Sequence, residues 1–150
     1  MQAEIKFRAA KAGDFEYCKR LYFEGMVRII DALGLDRTVL AVSFAQQWEW
    51  SQVRILVEEG VDVGWLQSFV REGGELFLAQ LFVEASFQRR GIGTEVMRVL
   101  IGEASGEGRV VELDVVKINP ALRFYERLGF RVVGEEERKF KMRRELGSAS

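Results

Sequence analysis

The 150-residue chain contains no histidine, one cysteine and one proline. Without histidine there is no Ser-His-Asp or Cys-His catalytic arrangement and no histidine-ligated metal site, so we expect no metal centre. Any proton transfer must then use a carboxylate, a tyrosine, a lysine or water. The single cysteine, Cys18, cannot form an intrachain disulfide. Its place on the apolar face of a predicted helix indicates packing rather than a nucleophile's role.

The chain also lacks an excess of charge of either sign and a long apolar run. Its 22 basic and 23 acidic residues give a formal net charge of −1, which does not favour nucleic acid as a partner. No apolar stretch approaches the roughly 18 residues needed to span a bilayer, and the first eleven residues lack the apolar core of a signal peptide. We therefore expect a cytoplasmic protein without a membrane partner. The length predicts a single domain over residues 1–146, with a disordered tail at 147–150.

A basic, glycine-containing heptapeptide lies between an apolar run and an amphipathic stretch. The first turn of a helix has N–H groups without intrahelical partners and carries partial positive charge, so a strand, a glycine turn and a helix start together favour a bound anion. Two glycines let the backbone approach a ligand, and two arginines can add charge-assisted contacts. The pattern predicts a pyrophosphate site, with close helix–strand packing as the structural alternative. The heptapeptide consists of Gln88, Arg89, Arg90, Gly91, Ile92, Gly93 and Thr94.

Two common phosphate-binding motifs do not fit this turn. The chain has no G-x-G-x-x-G at this position, and no Lys-Ser or Lys-Thr closes the glycine loop. Hydrolysis of a nucleoside triphosphate is therefore disfavoured.

The hydrophobic pattern predicts strands and helices along the whole chain. A strand, the helix after the turn and a further β-branched strand imply a parallel crossover. Asp14 is expected to cap the first helix, and Asp36 opens the second. The predicted strands span residues 4–9, 54–58, 61–70, 76–83, 110–116, 131–133 and 139–143. The predicted helices span residues 15–33, 36–50, 94–105 and 119–128.

Two segments carry a resemblance to a known family. The first is Leu81-Phe82-Val83 together with the glycine turn, and the second runs from Asn119-Pro120 to Phe130. In this order, separated by a helix and a strand, they resemble the GNAT superfamily of N-acetyltransferases. The resemblance implies a mixed α+β fold: a central, mostly antiparallel twisted sheet with one parallel, splayed strand pair, flanked by about four helices.

The resemblance also implies acetyl-CoA as the co-substrate. It would bind where the strands at 76–83 and 110–116 splay, with its pyrophosphate on the glycine turn. Asn119 matches a residue whose side chain often holds the pantetheine, and a helix N-cap role is compatible with that. The residues whose backbone would pair with the pantetheine are Leu81, Phe82 and Val83.

Tyr125 matches the tyrosine that protonates the departing thiolate in many family members, and helix packing is its alternative role. The general base is less well defined, because Phe77 occupies the position where one branch of the family has a glutamate. Another branch has an acidic residue that Asp114 matches, with Glu112 and Glu84 as further candidates. A solvated surface charge is the alternative for Asp114, and an ordered water chain would also serve as base.

The resemblance implies that the protein transfers the acetyl group to a primary amine of a small molecule or peptide. Homodimers are common in the superfamily. The alternative is a non-catalytic acyl-CoA-binding or sensor module of the same fold; a nucleotide-binding protein of another fold is disfavoured by the order of elements. The sequence does not identify the acceptor. Some aromatic and apolar side chains of the helical region would either form a wall of the acceptor cleft or belong to the core. These side chains are Tyr22, Met26, Trp48 and Trp50.

Overall fold

The computed structural model describes residues 4–147, so three residues of the predicted tail, 148–150, lie outside the described residues. Within that range the chain forms seven strands and four α-helices, joined in places by short 3₁₀ turns. None of the described helices is both long and apolar enough to cross a membrane. The elements are β1 (Ile5–Ala9), α1 (Phe15–Leu33), α2 (Arg37–Gln47), β2 (Val53–Glu58), β3 (Val61–Val70), β4 (Leu76–Val83), α3 (Ile92–Gly106), β5 (Val111–Val116), α4 (Ala121–Arg127), β6 (Arg131–Glu135) and β7 (Lys139–Arg144).

The seven strands form one sheet in the order β1-β2-β3-β4-β5-β7-β6. The β4–β5 pair is parallel, with residues 76–78 opposite 111–113, because the connection between the two strands contains α3. The β1–β2, β2–β3, β5–β7 and β6–β7 pairs are antiparallel. The predicted mixed α+β fold with one parallel strand pair is therefore confirmed.

The described part of the chain packs as two compact units. The first unit contains residues 4–67 and 80–92, and the second contains residues 68–79 and 93–147. The single domain expected over residues 1–146 stays a prediction.

The core of the first unit is aromatic. Apolar positions three and four residues apart on α1 put Cys18, Leu21 and Tyr22 on one buried face. The Tyr22 ring lies 4.8 Å from that of Phe44 on α2, and the Phe44 ring lies 5.9 Å from that of Trp65 on β3. Trp65 is fully buried. Because such rings remove large apolar areas from water, this cluster fixes α1 and α2 on the strands of this unit.

The core of the second unit depends on the alternation of β5. Val111, Leu113 and Val115 are buried, whereas Glu112 and Asp114 on the opposite face of the strand are partly exposed. The buried side chains around them come from α3, from β7 and from the connection between α4 and β6, and they include Val96, Met97, Leu100, Leu128, Phe130 and Met142.

The two predicted N-caps have different outcomes. Asp36 caps α2, with its Oδ1 accepting from the N–H of Thr38 at 2.8 Å. The prediction for Asp14 was wrong, because its side chain makes no cap hydrogen bond to α1. A 3₁₀ turn precedes α1, so Asp14 has helical φ and ψ of −83° and −3° rather than the extended conformation that capping needs. Its carboxylate instead accepts from the Lys11 N–H at 2.9 Å and pairs with Arg8 at 3.0 Å.

Candidate functional site

The loop after β4 folds back on the end of that strand. A 3₁₀ turn at Ala85–Phe87 follows β4, and the Gln88 side-chain amide donates to the Val83 carbonyl at 2.9 Å. The Gln88 side chain is therefore occupied by the protein itself and closes the loop. α3 begins at Ile92, two residues before the predicted start at Thr94, so Gly93 lies in its first turn.

The backbone between Gln88 and α3 has the form of an anion-binding turn. Arg89 has a φ of 65° and Gly91 a φ of 79°, so two left-handed residues flank Arg90. Left-handed residues of this kind are common in turns whose N–H groups bind anions, and the first turn of a helix adds N–H groups without intrahelical partners. Ile92, which is 4% exposed, anchors the helix start in the core. The backbone therefore fits the predicted pyrophosphate site.

The two arginines of the turn differ in their surroundings. Arg90 donates from Nη2 to the Glu58 carboxylate on β2 at 3.0 Å, and its guanidinium lies 5.1 Å from the Phe87 ring centroid. Glu58 is 8% exposed, so this is a largely buried carboxylate held by a residue of the turn. The Arg89 side chain is exposed. Arg90 thus holds the turn to β2, and Arg89 is the arginine whose charge faces solvent.

The end of β4 packs closely on its own unit. The Phe82 ring lies 5.7 Å from that of Tyr22 and 5.6 Å from that of Trp65. A Cβ at Gly25 of α1 would lie 2.6 Å from this ring, and a Cβ at Gly64 of β3 would collide with the Phe82 carbonyl oxygen. These glycines allow the close approach that fixes the strand end. The assignment of pantetheine pairing to Leu81, Phe82 and Val83 stays a prediction.

Tyr125 lies near the end of α4 between two aromatic side chains. Its ring centroid is 5.1 Å from that of Phe124 and 5.8 Å from that of Phe130. Its carbonyl accepts from the N–H groups of Leu128 and Phe130, which closes the helix at Gly129, where φ is 94°. Burial raises the pKa of Tyr125 to about 12, so the phenol is protonated at neutral pH.

Asn119 has the capping role that the sequence left open. Its Oδ1 accepts from the N–H of Ala121 at 2.9 Å at the start of α4. This hydrogen bond uses the side-chain oxygen and leaves the two amide hydrogens for another acceptor. The predicted pantetheine contact of Asn119 is compatible with the cap and stays a prediction.

Each of the three candidate bases has a cationic partner. Asp114 on β5 lies 3.2 Å from the Lys139 ammonium, and Glu84 lies 3.0 Å from the Arg20 guanidinium. Glu112 has two such partners, with Arg71 at 3.4 Å and Arg143 at 3.6 Å. Each candidate carboxylate is therefore held by a cation of the protein itself.

Asp114 also borders a small cavity on the second unit. The cavity has a volume of about 80 Å³ and mixes charged and apolar side chains. Phe77, at the position where some family members have a glutamate, packs under the Arg71 guanidinium at 3.6 Å. Two of the three candidates, Asp114 and Glu112, are therefore β5 residues that line this cavity. Besides Asp114, the cavity is lined by Arg71, Glu112, Leu113, Val133, Lys141 and Met142.

The helical aromatic residues belong mainly to the core. Tyr22 is 8% exposed, and Met26 and Trp48 are partly buried against the same cluster, which favours a core role for these three. Trp50 is 52% exposed. Cys18 is fully buried, and burial raises its pKa to about 12, which leaves it an unreactive thiol.

Sequence patterns missed the Glu58–Arg90 pair. Both faces of β2 carry buried side chains, and Glu58 lies on the same face as Leu56, which is fully buried. The β2–β3 register shift between Leu56 and Val57 adds a residue, Val63, to β3 and leaves β2 regular. The presence of a glutamate in a β-rich run was the only signal in the sequence, and it does not specify a partner 32 residues away.

Comparisons with known proteins agree with this architecture. The structure of PaiA N-acetyltransferase from Thermoplasma acidophilum in complex with coenzyme A aligns with a TM-score of 0.76 at 13% identity, covering 95% of this chain and 99% of that chain. Ard1 from Thermoplasma volcanium aligns with a TM-score of 0.70 at 18% identity, covering 93% of this chain and 96% of that one. N-acetylglutamate synthase from Neisseria gonorrhoeae, complexed with coenzyme A and N-acetyl-glutamate, aligns with a TM-score of 0.68 at 19% identity, covering 97% of this chain and 36% of that one.

At these identities the structural likenesses establish the fold alone. No curated protein matches the sequence. The model of the Acetyltransferase (GNAT) family matches residues 31–130, which is two thirds of the chain and includes both the glycine turn and α4. The chain therefore belongs to the GNAT acetyltransferase family.

Proposed function

We propose that this protein is an N-acetyltransferase that transfers the acetyl group of acetyl-CoA to a primary amine of a small molecule or peptide. The observation that carries the proposal is the turn before α3, where Arg89 and Gly91 adopt left-handed conformations in a member of this family. Acetyl-CoA would supply the thioester that is the acetyl donor. The N–H groups at the turn would hold its pyrophosphate, and the backbone of residues 81–83 would pair with its pantetheine.

Tyr125 would stabilise the departing thiolate as a hydrogen-bond donor. With its pKa near 12, complete proton transfer to a thiolate of ordinary pKa, about 8.5, is unfavourable by roughly 5 kcal/mol. The phenol therefore contributes mainly by a charge-assisted hydrogen bond, and the proton moves only as the thiolate charge develops. One such donor in an enclosed site typically contributes about 2.7–4 kcal/mol to the transition state.

Asp114 would receive the proton that the acceptor loses. Its partner Lys139 is an ammonium 3.2 Å away, with a side chain that is 39% exposed. An acceptor ammonium carries the same charge and the same kind of donors, so it can replace Lys139 at the carboxylate at little electrostatic cost. If water removes the proton instead, Asp114 still attracts the cationic acceptor.

The experiment is a coupled measurement of CoA binding and of acetyl transfer. Calorimetry with CoA is expected to show one site, and release of CoA from acetyl-CoA is measured with panels of amines, polyamines, amino acids, aminoglycosides and peptide N-termini. Turnover with any primary amine above the hydrolysis background supports the proposal. Tight CoA binding without turnover on every panel favours a sensor module, an alternative consistent with the ion pairs of all three candidate bases.

A further inference from the structure

We propose that the acceptor is a free α-amino acid, whose carboxylate binds to Arg71 while its ammonium group lies at Asp114. The inference deepens the proposed function and rests on it, because it names the acceptor of the same reaction. All the residues that carry it belong to the second unit. Arg71 and Asp114 line the same cavity of about 80 Å³, so one small molecule can contact both side chains.

The Arg71 guanidinium is held in place but remains accessible to a ligand. Its central carbon lies 3.6 Å from the centroid of the Phe77 ring, and its Nη1 donates to Glu112 at 3.4 Å. A guanidinium has five N–H donors, so one long hydrogen bond leaves most of them for another acceptor. The side chain is 41% exposed, and a stacked, planar guanidinium suits two parallel hydrogen bonds to a carboxylate.

The cavity presents groups of both signs at a spacing that suits an amino acid. Glu112 and Asp114 lie on the same face of β5, about 7 Å apart, and Arg71 contacts the first of them. An ammonium and a carboxylate on one carbon, with a hydrogen bond of about 2.8 Å at each end, span about 8 Å. An α-amino acid can therefore connect Asp114 with Arg71. Glu112 does not cancel the charge of Arg71, because Arg143 also pairs with it at 3.6 Å.

The size and lining of the cavity limit what can bind in it. A volume of about 80 Å³ holds roughly five to eight water-sized groups, which is the size of the ammonium, α-carbon and carboxylate of an amino acid. Leu113, Val133 and Met142 supply apolar contacts for the carbon atoms. A polyamine or an aminoglycoside is larger and would place a second cation beside Arg71, which is unfavourable.

The reaction on this acceptor is that of the proposed function. The ammonium group gives one proton to Asp114 or to water, and the amine nitrogen then forms a bond to the acetyl carbon. The C–S bond of the thioester breaks, and the second proton of the nitrogen leaves with CoA as its thiol. Arg71 takes no proton in these steps and determines specificity by holding the carboxylate.

The test compares amino acids with their α-carboxamides as acceptors in the CoA-release assay. The amide keeps the side chain and the amine but has no carboxylate, and its amine has the lower pKa, so intrinsic reactivity favours the amide. We expect the native protein to have a kcat/KM at least about tenfold higher for the amino acid, the effect of one charge-assisted pair. Arg71→Ala should lose most of this ratio through a higher KM for the amino acid, with kcat/KM for the amide unchanged.

Two further variants separate the charge of Arg71 from its geometry and from folding. Arg71→Lys keeps the charge but loses the planar group, so it should keep only part of the ratio. If Arg71→Ala does not fold, the partial loss in Arg71→Lys decides the question. The matched control Arg98→Ala removes the same charge from an exposed position on α3 and should keep the whole ratio.

Turnover of the amides equal to that of the amino acids would overturn the inference, as would acceptors found only among polyamines, aminoglycosides or peptide N-termini. Both results would leave the proposed function standing. A ratio that survives in Arg71→Ala, or an equal loss in Arg98→Ala, would overturn the inference as well. Absence of turnover on every amine would instead contradict the proposed function, and this inference with it.

Discussion

We expect the two partners of the Glu58–Arg90 ion pair to contribute unequally to the free energy of unfolding. Glu58 is 8% exposed, whereas the Arg90 side chain is 50% exposed, and their atoms lie 3.0 Å apart. Glu58→Gln leaves a guanidinium that water can still solvate, so we expect a loss of about 1 kcal/mol in the free energy of unfolding. Arg90→Ala leaves a buried carboxylate without its cation, and this is expected to cost about 3 kcal/mol.

The assay is urea denaturation of the native protein, the two single variants and the double variant Glu58→Gln/Arg90→Ala. Because the neutral amide needs no cation, the double variant should lie close to Glu58→Gln in stability and well above Arg90→Ala. The m-values should stay the same in all four proteins, so that midpoint shifts report stability. An Arg90→Ala protein as stable as Glu58→Gln, or a double variant that loses the sum of both, would refute the asymmetry.

The same variants identify the task of Arg90 in ligand binding. If Arg90 holds the turn to β2, Glu58→Gln and Arg90→Ala both loosen the turn and both weaken CoA binding. If Arg90 contacts the pyrophosphate, Glu58→Gln frees it and strengthens binding, whereas Arg90→Ala weakens it. Calorimetric Kd values that change in opposite directions in the two variants would therefore contradict the positioning role.

Other variants test the remaining assignments. Gly91→Val forces a β-branched side chain into a φ of 79° and places a Cβ in the turn, so calorimetry should show much weaker CoA binding by a folded protein. Tyr125→Phe keeps the ring packing and should lower kcat by about ten- to a thousand-fold with an unchanged Kd for CoA; wild-type turnover with chemistry rate-limiting would remove the assignment. Asp114→Asn should lower the rate mainly below the effective pKa of the amine, and an unaltered pH–rate profile would leave water as the base. The hydrogen bond from Arg8 lowers the pKa of Asp14 in the folded protein. The Asp14 carboxylate therefore contributes stability above its unfolded pKa, and this contribution is lost as the pH falls through its folded pKa. Urea denaturation at several pH values should show that Arg8→Ala loses less stability on acidification than the native protein.

The sequence predicted the order of the elements well because each carries a local signal. The α1 stripe and the β5 alternation appear at the expected positions, and the turn at 88–91 leads directly into α3. The start of α3 differs from the predicted start by two residues. Ile92 is buried and forms the first residue of the helix, and Gly93 lies in its first turn. Boundaries of this kind depend on packing that a periodic pattern does not contain.

The partners of charged side chains could not be predicted in the same way. Asp14 looked like a helix cap in sequence, but Arg8 and the preceding 3₁₀ turn determine its position. Glu58 is buried because it lies on the same face of β2 as the fully buried Leu56, in a strand that carries buried side chains on both faces. Each outcome depends on residues distant in sequence or on one irregular backbone step, and neither leaves a trace in hydrophobic periodicity.

In the turn before α3, we expect the main chain to bind the anion and most of the polar side chains to hold the turn in place. Gln88 is held by the Val83 carbonyl and Arg90 by Glu58, so two of its three polar side chains hold the turn in place rather than face a ligand. Arg89, a non-glycine residue at a φ of 65°, adopts a conformation that costs about 1 kcal/mol, which the surrounding contacts must offset. A turn fixed in this way presents N–H groups that need no reorganisation when an anion arrives. Its affinity should therefore depend more on the absence of a Cβ at Gly91 than on any single positive charge.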